Sequence, residues 1–359
     1  MKHKIRTVSI AAGISTTIML SACGSATTSR YATPSTATST VGTTSTPTNA
    51  VLAPSLLPEP TGHLAVGVRT FASVVPAATT RVWYPAQRDT GTGIPIYLED
   101  KSAAALGVTA KQLQGVVPRA SVNADAVPTA QPRPAVILMP GWGSVMALST
   151  ALAQDLASNG YIVVTADPIF GSENGSTLPG DLTKPGRRLD QIAAALDFVT
   201  GLEITKLVGR VDATKIAIGG HSIAGAIAFQ IGMTDPRVHA VFDLDGWLHG
   251  PSLTTPIAVP ALMVDASGLE PATRAIIARS STAVTVKVSG ATHYDVTDLP
   301  CLVPALGAAA AALPLGSIGC VGTTTTNAVV LRFLDTVLRD AKPTPSSASL
   351  TSGLAGSTP

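Results

Sequence analysis

The chain has 359 residues, 45% of them apolar and only 13% charged, with 24 lysines and arginines against 22 aspartates and glutamates. Lys2, Lys4 and Arg6 supply three of the basic residues, so beyond residue 22 the balance is 21 against 22, about −1. That balance excludes nucleic-acid binding driven by charge, while the apolar fraction suffices for one large core.

The basic start leads into an apolar run from Val8 to Leu20, the layout of an export signal over residues 1–22. The run is too short for a spanning helix with its own anchors. It ends in Leu20-Ser21-Ala22-Cys23, which resembles the lipobox of bacterial lipoproteins. That resemblance implies cleavage before Cys23 and acylation of Cys23, with the protein exported and lipid-anchored at the outer face of a bacterial membrane or envelope. Gly24 rather than an aspartate follows Cys23, so nothing argues for retention at an inner membrane. Residues 23–60 are rich in Ser, Thr and Pro and predict a disordered tether. Residues 342–359 predict a disordered tail, leaving 61–341 as a single domain, expected to be a monomer. In an exported chain the two remaining cysteines, Cys301 and Cys320, are expected to pair. Their spacing, without neighbouring histidines, makes a poor metal site.

In chain order, HLAVGVRTF (63–71) and TTRVWY (79–84) alternate like an antiparallel pair, with a turn around Pro76. Residues 85–132 are rich in Pro, Gly and polar side chains and are expected to wrap the surface. AVILMP (135–140) is a continuous apolar run, as in a strand buried on both faces. Gly141-Trp142-Gly143-Ser144 follows, then a helical pattern through Leu148, Leu152 and Leu156 that stops at Asn159-Gly160. Next come the strand YIVVTAD (161–167), a long loop with four glycines, and a helix near Arg187–Thr200. A short strand at 216–218 ends in Gly219-Gly220-His221-Ser222, and a small-residue helix starts at Ile223. AVFDLD (240–245), PALMVDA (260–266) and AVTVKVS (283–289) read as further strands. A final helix from about Ala328 to Arg339 puts Val330, Phe333, Leu334, Val337 and Leu338 on one face. Strands alternating with helices predict an α/β fold with a mostly parallel sheet flanked by helices. In such sheets chemistry gathers beyond the carboxyl ends of the strands, where Trp142, Ser222, Asp245 and His293 all fall.

A serine on a sharp strand-to-helix turn is lifted above the sheet, and the helix start aims N–H groups at a nearby oxyanion. The usual pattern is G-x-S-x-G; Gly220 and Ser222 fit it, and Ala224 stands at the second glycine. Such a serine needs a base, and the base needs an acid to hold its tautomer. Of six histidines, His3 lies in the signal, His63 precedes the sheet, and His221 adjoins the serine but is expected to point away from its hydroxyl. His239 opens a strand and His249 sits in a loop; His293 lies between the last strand and the last helix, from where a base reaches back. The acid is open among Asp243, Asp245, Asp265 and Glu270, with Asp245 nearest its strand's carboxyl end.

GHSIAG, LDGW and the ATHYD loop together resemble the platelet-activating-factor acetylhydrolase family, plasma type, of α/β-hydrolases. PGWGS, LAQDLASNGYIVVTAD and RVWYPA extend that resemblance from about Leu64 to Arg339. It implies that the acid is the aspartate of LDGW, Asp245, and that the backbone N–H groups of Trp142 and Ile223 form the oxyanion hole. Ala224 and Pro140 depart from the family pattern without removing a triad group. The same elements are similar to bacterial polyester hydrolases and lipases. The expected function is a serine esterase using Ser222, His293 and Asp245, without metal or cofactor. Its substrate would be a short-acyl phospholipid or, alternatively, a polyester, triglyceride or other carboxylic ester, as for a lipase-type or cutinase-like hydrolase. A binding lipoprotein on a hydrolase scaffold is the remaining alternative, marked by an incomplete triad.

Overall fold

Apolar runs without charge can serve as strands only where both faces are covered, and here they fill the middle of one sheet. The computed structural model describes residues 55–75, 78–167 and 187–340; the signal, Cys23, most of the tether, the tail and the four-glycine loop lie outside the described residues. The strands are β1 (Ala65–Val75), β2 (Ala78–Ala86), β3 (Ser121–Val122), β4 (Arg133–Met139), β5 (Ile162–Ala166), β6 (Val211–His221), β7 (Ala240–Leu244), β8 (Ala261–Asp265) and β9 (Ala283–Lys287). They form one sheet in the order β3-β1-β2-β5-β4-β6-β7-β8-β9. β2 pairs antiparallel with both β1 and β5, and every pairing from β5 to β9 is parallel. This is the mostly parallel α/β sheet that the alternation of elements predicts, in the architecture that the family resemblance implies.

Side-chain alternation divides the core between two faces. Along β4, Ala135, Ile137 and Met139 enter one cluster while Val136 and Leu138 enter the other. The first face is covered by α3 (Arg187–Thr200), through Ile192, Leu196 and Val199, and by α4 (Leu202–Val208) and α5 (Ile223–Gly232). The second is covered by α2 (Thr150–Ser158), through Leu152 and Leu156, and by α8 (Val321–Arg339), through Val330, Leu334 and Leu338. Phe333 and Val337 pack half-buried beside that stripe, so the expected helical face is present on a helix that begins seven residues earlier than expected. β9 is the edge strand, with exposed Val284 and with Lys287 at its end.

Two expectations are corrected. Residues 85–132 do not merely wrap the surface: Tyr97, Leu98, Leu113 and Val116 enter a third buried cluster with Val145, Leu148, Leu299 and Leu302. Polar and Pro-rich composition hid a few anchors spaced too irregularly to show a period. The second correction concerns residues 55–60, expected in the tether, which are seated on the domain. Leu57 is buried in the third cluster, the Pro58 carbonyl accepts from Gln154 Nε2 at 3.1 Å, and Glu59 pairs with Arg119.

Cys301 and Cys320 form a disulfide. It ties the start of α7 (Leu299–Leu306) to the residue before α8, closing an excursion that includes the 3-10 turn Gly307–Ala312. A loop of this length is stabilised by about 3 kcal/mol in the chain-entropy model. No helix among the described residues is long and apolar enough to cross a membrane.

Asp298, buried just before α7, accepts hydrogen bonds from Tyr97 Oη and from the Ala151 N–H, each at 3.2 Å. Burial pushes its carboxyl up to about 7 despite those donors. With the folded value above the unfolded one, this group's contribution is fully present below about pH 4 and is lost as pH rises through 7. The loss should reach a few kcal/mol, each unit being about 1.4 kcal/mol. Asp298→Asn should therefore flatten the fall in melting temperature between pH 5 and pH 8, as followed by circular dichroism. An unchanged slope would show that the carboxyl does not carry its proton in the fold.

Candidate active site

Three neighbouring strand ends build the site, and glycines decide how closely they approach. At the end of β6 the chain turns so sharply that Ser222 takes φ 59 and ψ −130. A non-glycine residue in that region stores on the order of 1–3 kcal/mol of strain, held by surrounding structure. Here the Ser222 N–H donates to the Leu244 carbonyl at 2.9 Å, and α5 begins at Ile223. A Cβ at Gly220 would run into the Met139 carbonyl and lie 2.8 Å from the Ala224 Cβ. The small side chain at 224 is thus tolerated because position 220 has none. The loop after β4 passes directly alongside: a Cβ at Gly141 would come within 3.2 Å of the Ser222 Cβ. Of the two residues expected to supply oxyanion N–H groups, Ile223 follows the serine directly and Trp142 follows Gly141 in that adjacent loop.

The structure brings Asp245 and His293 together. His293 Nδ1 lies 2.8 Å from Asp245 Oδ2, with the carboxylate 2% exposed and the imidazole 31% exposed. Asp245 follows β7 with φ 58, and its N–H continues the ladder to the Val264 carbonyl at 2.8 Å. Its Oδ1 accepts from the Ala266 and Ser267 N–H groups at 2.7 and 2.8 Å, and Oδ2 accepts from Ser267 Oγ at 2.6 Å. Burial alone would raise this carboxyl, but the bonds from His293 and Ser267 outweigh it and hold the group below its ordinary value.

The other candidate acids are engaged elsewhere. Asp265 accepts from Lys287 Nζ at 2.9 Å and from the Gly268 N–H at 2.7 Å. Glu270 is an exposed residue preceding α6 (Pro271–Arg279). Asp243 lies fully buried behind Asp245, where Oδ1 accepts from the Gly246 N–H at 2.7 Å and Oδ2 has no partner. Burial and then the neighbouring Asp245 charge keep its carboxyl well above the usual range.

His221, expected to point away from the serine hydroxyl, lies buried with its ring 4.5 Å from that of His293. Sequence reasoning also missed Ser267 and Tyr294, whose ring packs 5.2 Å from that of His293. A small polar residue just past a strand end, in VDASG, was the only signal for Ser267. Trp247, two residues beyond Asp245, is 52% exposed. Among the described residues no cluster of His, Cys, Asp and Glu could hold a metal ion.

A parallel sheet with a serine at the strand-to-helix turn and a histidine paired to a buried carboxylate defines an α/β-hydrolase. Its relatives are carboxylic ester hydrolases of the cutinase and PET hydrolase-like kind. Residues 125–283 match the family model "PET hydrolase-like", a stretch that contains Ser222 and Asp245 and stops before His293. The chain is 30% identical over 134 residues to the bis(hydroxyethyl) terephthalate hydrolase of Streptomyces coelicolor, covering 37% of this chain and 39% of that protein. It is 27% identical over 132 residues to Cutinase 1 of Thermobifida cellulosilytica, covering 37% and 46%. The chain thus spans less than half the length of these curated relatives. A ferulic acid esterase from Streptomyces cinnamoneus superposes with a TM-score of 0.66 at 26% identity, covering 81% of this chain and 97% of that one. These relatives bear out the coarser expectation, an esterase of the α/β-hydrolase kind with a likeness to cutinase-type enzymes.

The environments rank the acids. Asp245→Asn should lower kcat by about 10⁴ at neutral pH, the typical worth of an acid that orients histidine. Asp265→Asn and Glu270→Gln should each cost less than roughly tenfold. Steady-state kinetics on purified, folded variants decide, and the reverse ranking would move the acid to the end of β8.

Proposed function

We propose that the chain is a serine esterase that hydrolyses carboxylic esters of the cutin or polyester type through Ser222, His293 and Asp245. The observation that carries the reading is the short bond between His293 and the buried Asp245, beside a strained serine turn. Ser222 attacks the ester carbonyl while His293 Nε2 takes the hydroxyl proton. Asp245 fixes the tautomer by accepting from Nδ1 and stabilises the imidazolium that forms. The backbone N–H groups of Trp142 and Ile223 receive the oxyanion, aided by the positive end of α5. His293 returns the proton to the departing alcohol, and water, activated by the same base, releases the acid from the acyl-enzyme.

Cutinases, a terephthalate ester hydrolase and a ferulic acid esterase as relatives favour bulky or polymeric esters over short-acyl phospholipids. The exposed face of Trp247 offers an apolar surface next to the acid on which such a substrate could lie. The proposal extends to the amino terminus: acylated Cys23 would tether the enzyme at an exported face, with residues 24–54 as the spacer.

Ser222→Ala should lower kcat on a soluble aryl ester by on the order of 10³–10⁶ while leaving the fold intact. Activity within tenfold of the parent would end the esterase mechanism. The parent should release acid from a polyester film and from aromatic diesters faster than from a short-acyl phospholipid; the opposite order would return the substrate to the phospholipid class.

Cys23→Ser should release the protein from the membrane fraction with the domain's activity unchanged. Intact-mass analysis showing an unlipidated mature terminus would remove the anchor.

A further inference from the structure

We propose that His221 is a positioning residue that locks the turn carrying Ser222 to the loop carrying His293, holding nucleophile and base in register. The proposal rests on the reading of Ser222 and His293 as the reacting pair. Three observations support it. His221 Nε2 lies 2.8 Å from the His293 carbonyl oxygen. A carbonyl can only accept, so Nε2 carries the proton and donates. His221 immediately precedes Ser222, so this one bond joins the end of β6 to the main chain of the base.

The second observation is the other ring nitrogen. His221 Nδ1 is buried without a hydrogen-bond partner. A second proton there would be a buried, unpaired donor on a buried charge, which is costly. Burial, with the nearby His293 adding to it, accordingly brings the ring's pKa down to about 4. Over the neutral range the ring therefore keeps a single tautomer and a single bonding direction.

The third is packing. The His221 ring sits against those of His293 and Tyr294, with centroids 4.5 and 5.7 Å away. On its other side a Cβ at Gly141 would come within 2.8 Å of Nδ1. The serine turn, the histidine loop and the loop leading to Trp142 therefore meet on one side chain. Asp245 and His221 hold different parts of His293: the carboxylate sets the rotation of its ring, and the imidazole sets the place of its backbone. A displacement of about 1 Å between reacting groups can cost on the order of 10²-fold in rate.

The test compares His221→Gln with His221→Met, side chains of similar length of which only glutamine can donate. Ser222→Ala is assayed in parallel on a soluble aryl ester. His221→Met should lower kcat by about 30- to 100-fold with KM changed less than about twofold, and should slow fluorophosphonate labelling of Ser222 by the same factor. His221→Gln should recover most of both. If the Met variant does not fold, His221→Ala takes its place in the same comparison. A donor-free variant that folds and keeps kcat within threefold of the parent would overturn the proposal, as would a Gln variant no better than it. Activity surviving in Ser222→Ala would instead sink the esterase reading, so the two failures are distinguishable.

Discussion

A carboxylate as buried as Asp245 has to be compensated by the chain around it, and the arrangement of the site follows from how that is done. The compensation comes from two directions: His293 on one side, and Ser267 with the Ala266 N–H on the other. The loops after β8 and β9 are thereby drawn to the end of β7. Its neighbour responds to the same dry space: burial first, and the Asp245 charge after it, push the Asp243 carboxyl well above its ordinary range. Asp245, held below its ordinary value, pairs with His293, while Asp243, pushed above its own, accepts from the Gly246 N–H. Environment divides their roles, as it does wherever paired acids serve different purposes.

Preorganisation of this kind demands backbone contacts that side chains would block. At Gly246 a Cβ would strike the Ser222 carbonyl and the Asp243 carboxyl; at Gly225 it would strike that carboxyl too. Helix α5 can lie so near β7 because its first turns are built from alanine and glycine. The strained serine is held by this packing rather than by a capping side chain. The PET hydrolase-like match ends at residue 283, ahead of His293. The histidine loop and its disulfide-closed neighbour therefore belong to the part of the chain outside that match.

Much of this was legible in the chain itself. The continuous apolar runs marked the central strands, because a strand covered on both faces has no polar side to show. The order of Ser222, Asp245 and His293 followed from their positions beyond the strands' carboxyl ends, and the pairing of Cys301 with Cys320 from there being two cysteines left over. What was not legible depended on contacts remote in sequence. Nothing local marks Leu57 as buried, since its partners Tyr97, Leu113 and Leu302 lie far along the chain. His221 was judged by its direction relative to the serine hydroxyl, whereas its bond is to a backbone carbonyl 72 residues away. The choice among Asp245, Asp265 and Glu270 needed the partners of each, and Lys287 on the edge strand occupies Asp265.

The excursion closed by the disulfide leans on the histidine loop: the Gly316 N–H donates to Asp295 Oδ2 at 2.7 Å, and Thr292 Oγ1 donates to the Pro314 carbonyl at 2.8 Å. Much of it is exposed, including Val303, and Val321 just beyond it is exposed as well. Yet no lysine or arginine occurs between Lys287 and Arg332. A protease that cuts after basic residues finds no cleavage site anywhere in that span, which holds His293 and both cysteines. A cut by any other protease between Cys301 and Cys320 would leave the two ends covalently joined. This exposed part of the domain is thus shielded from one large class of digestive enzymes by its composition, with no need for burial.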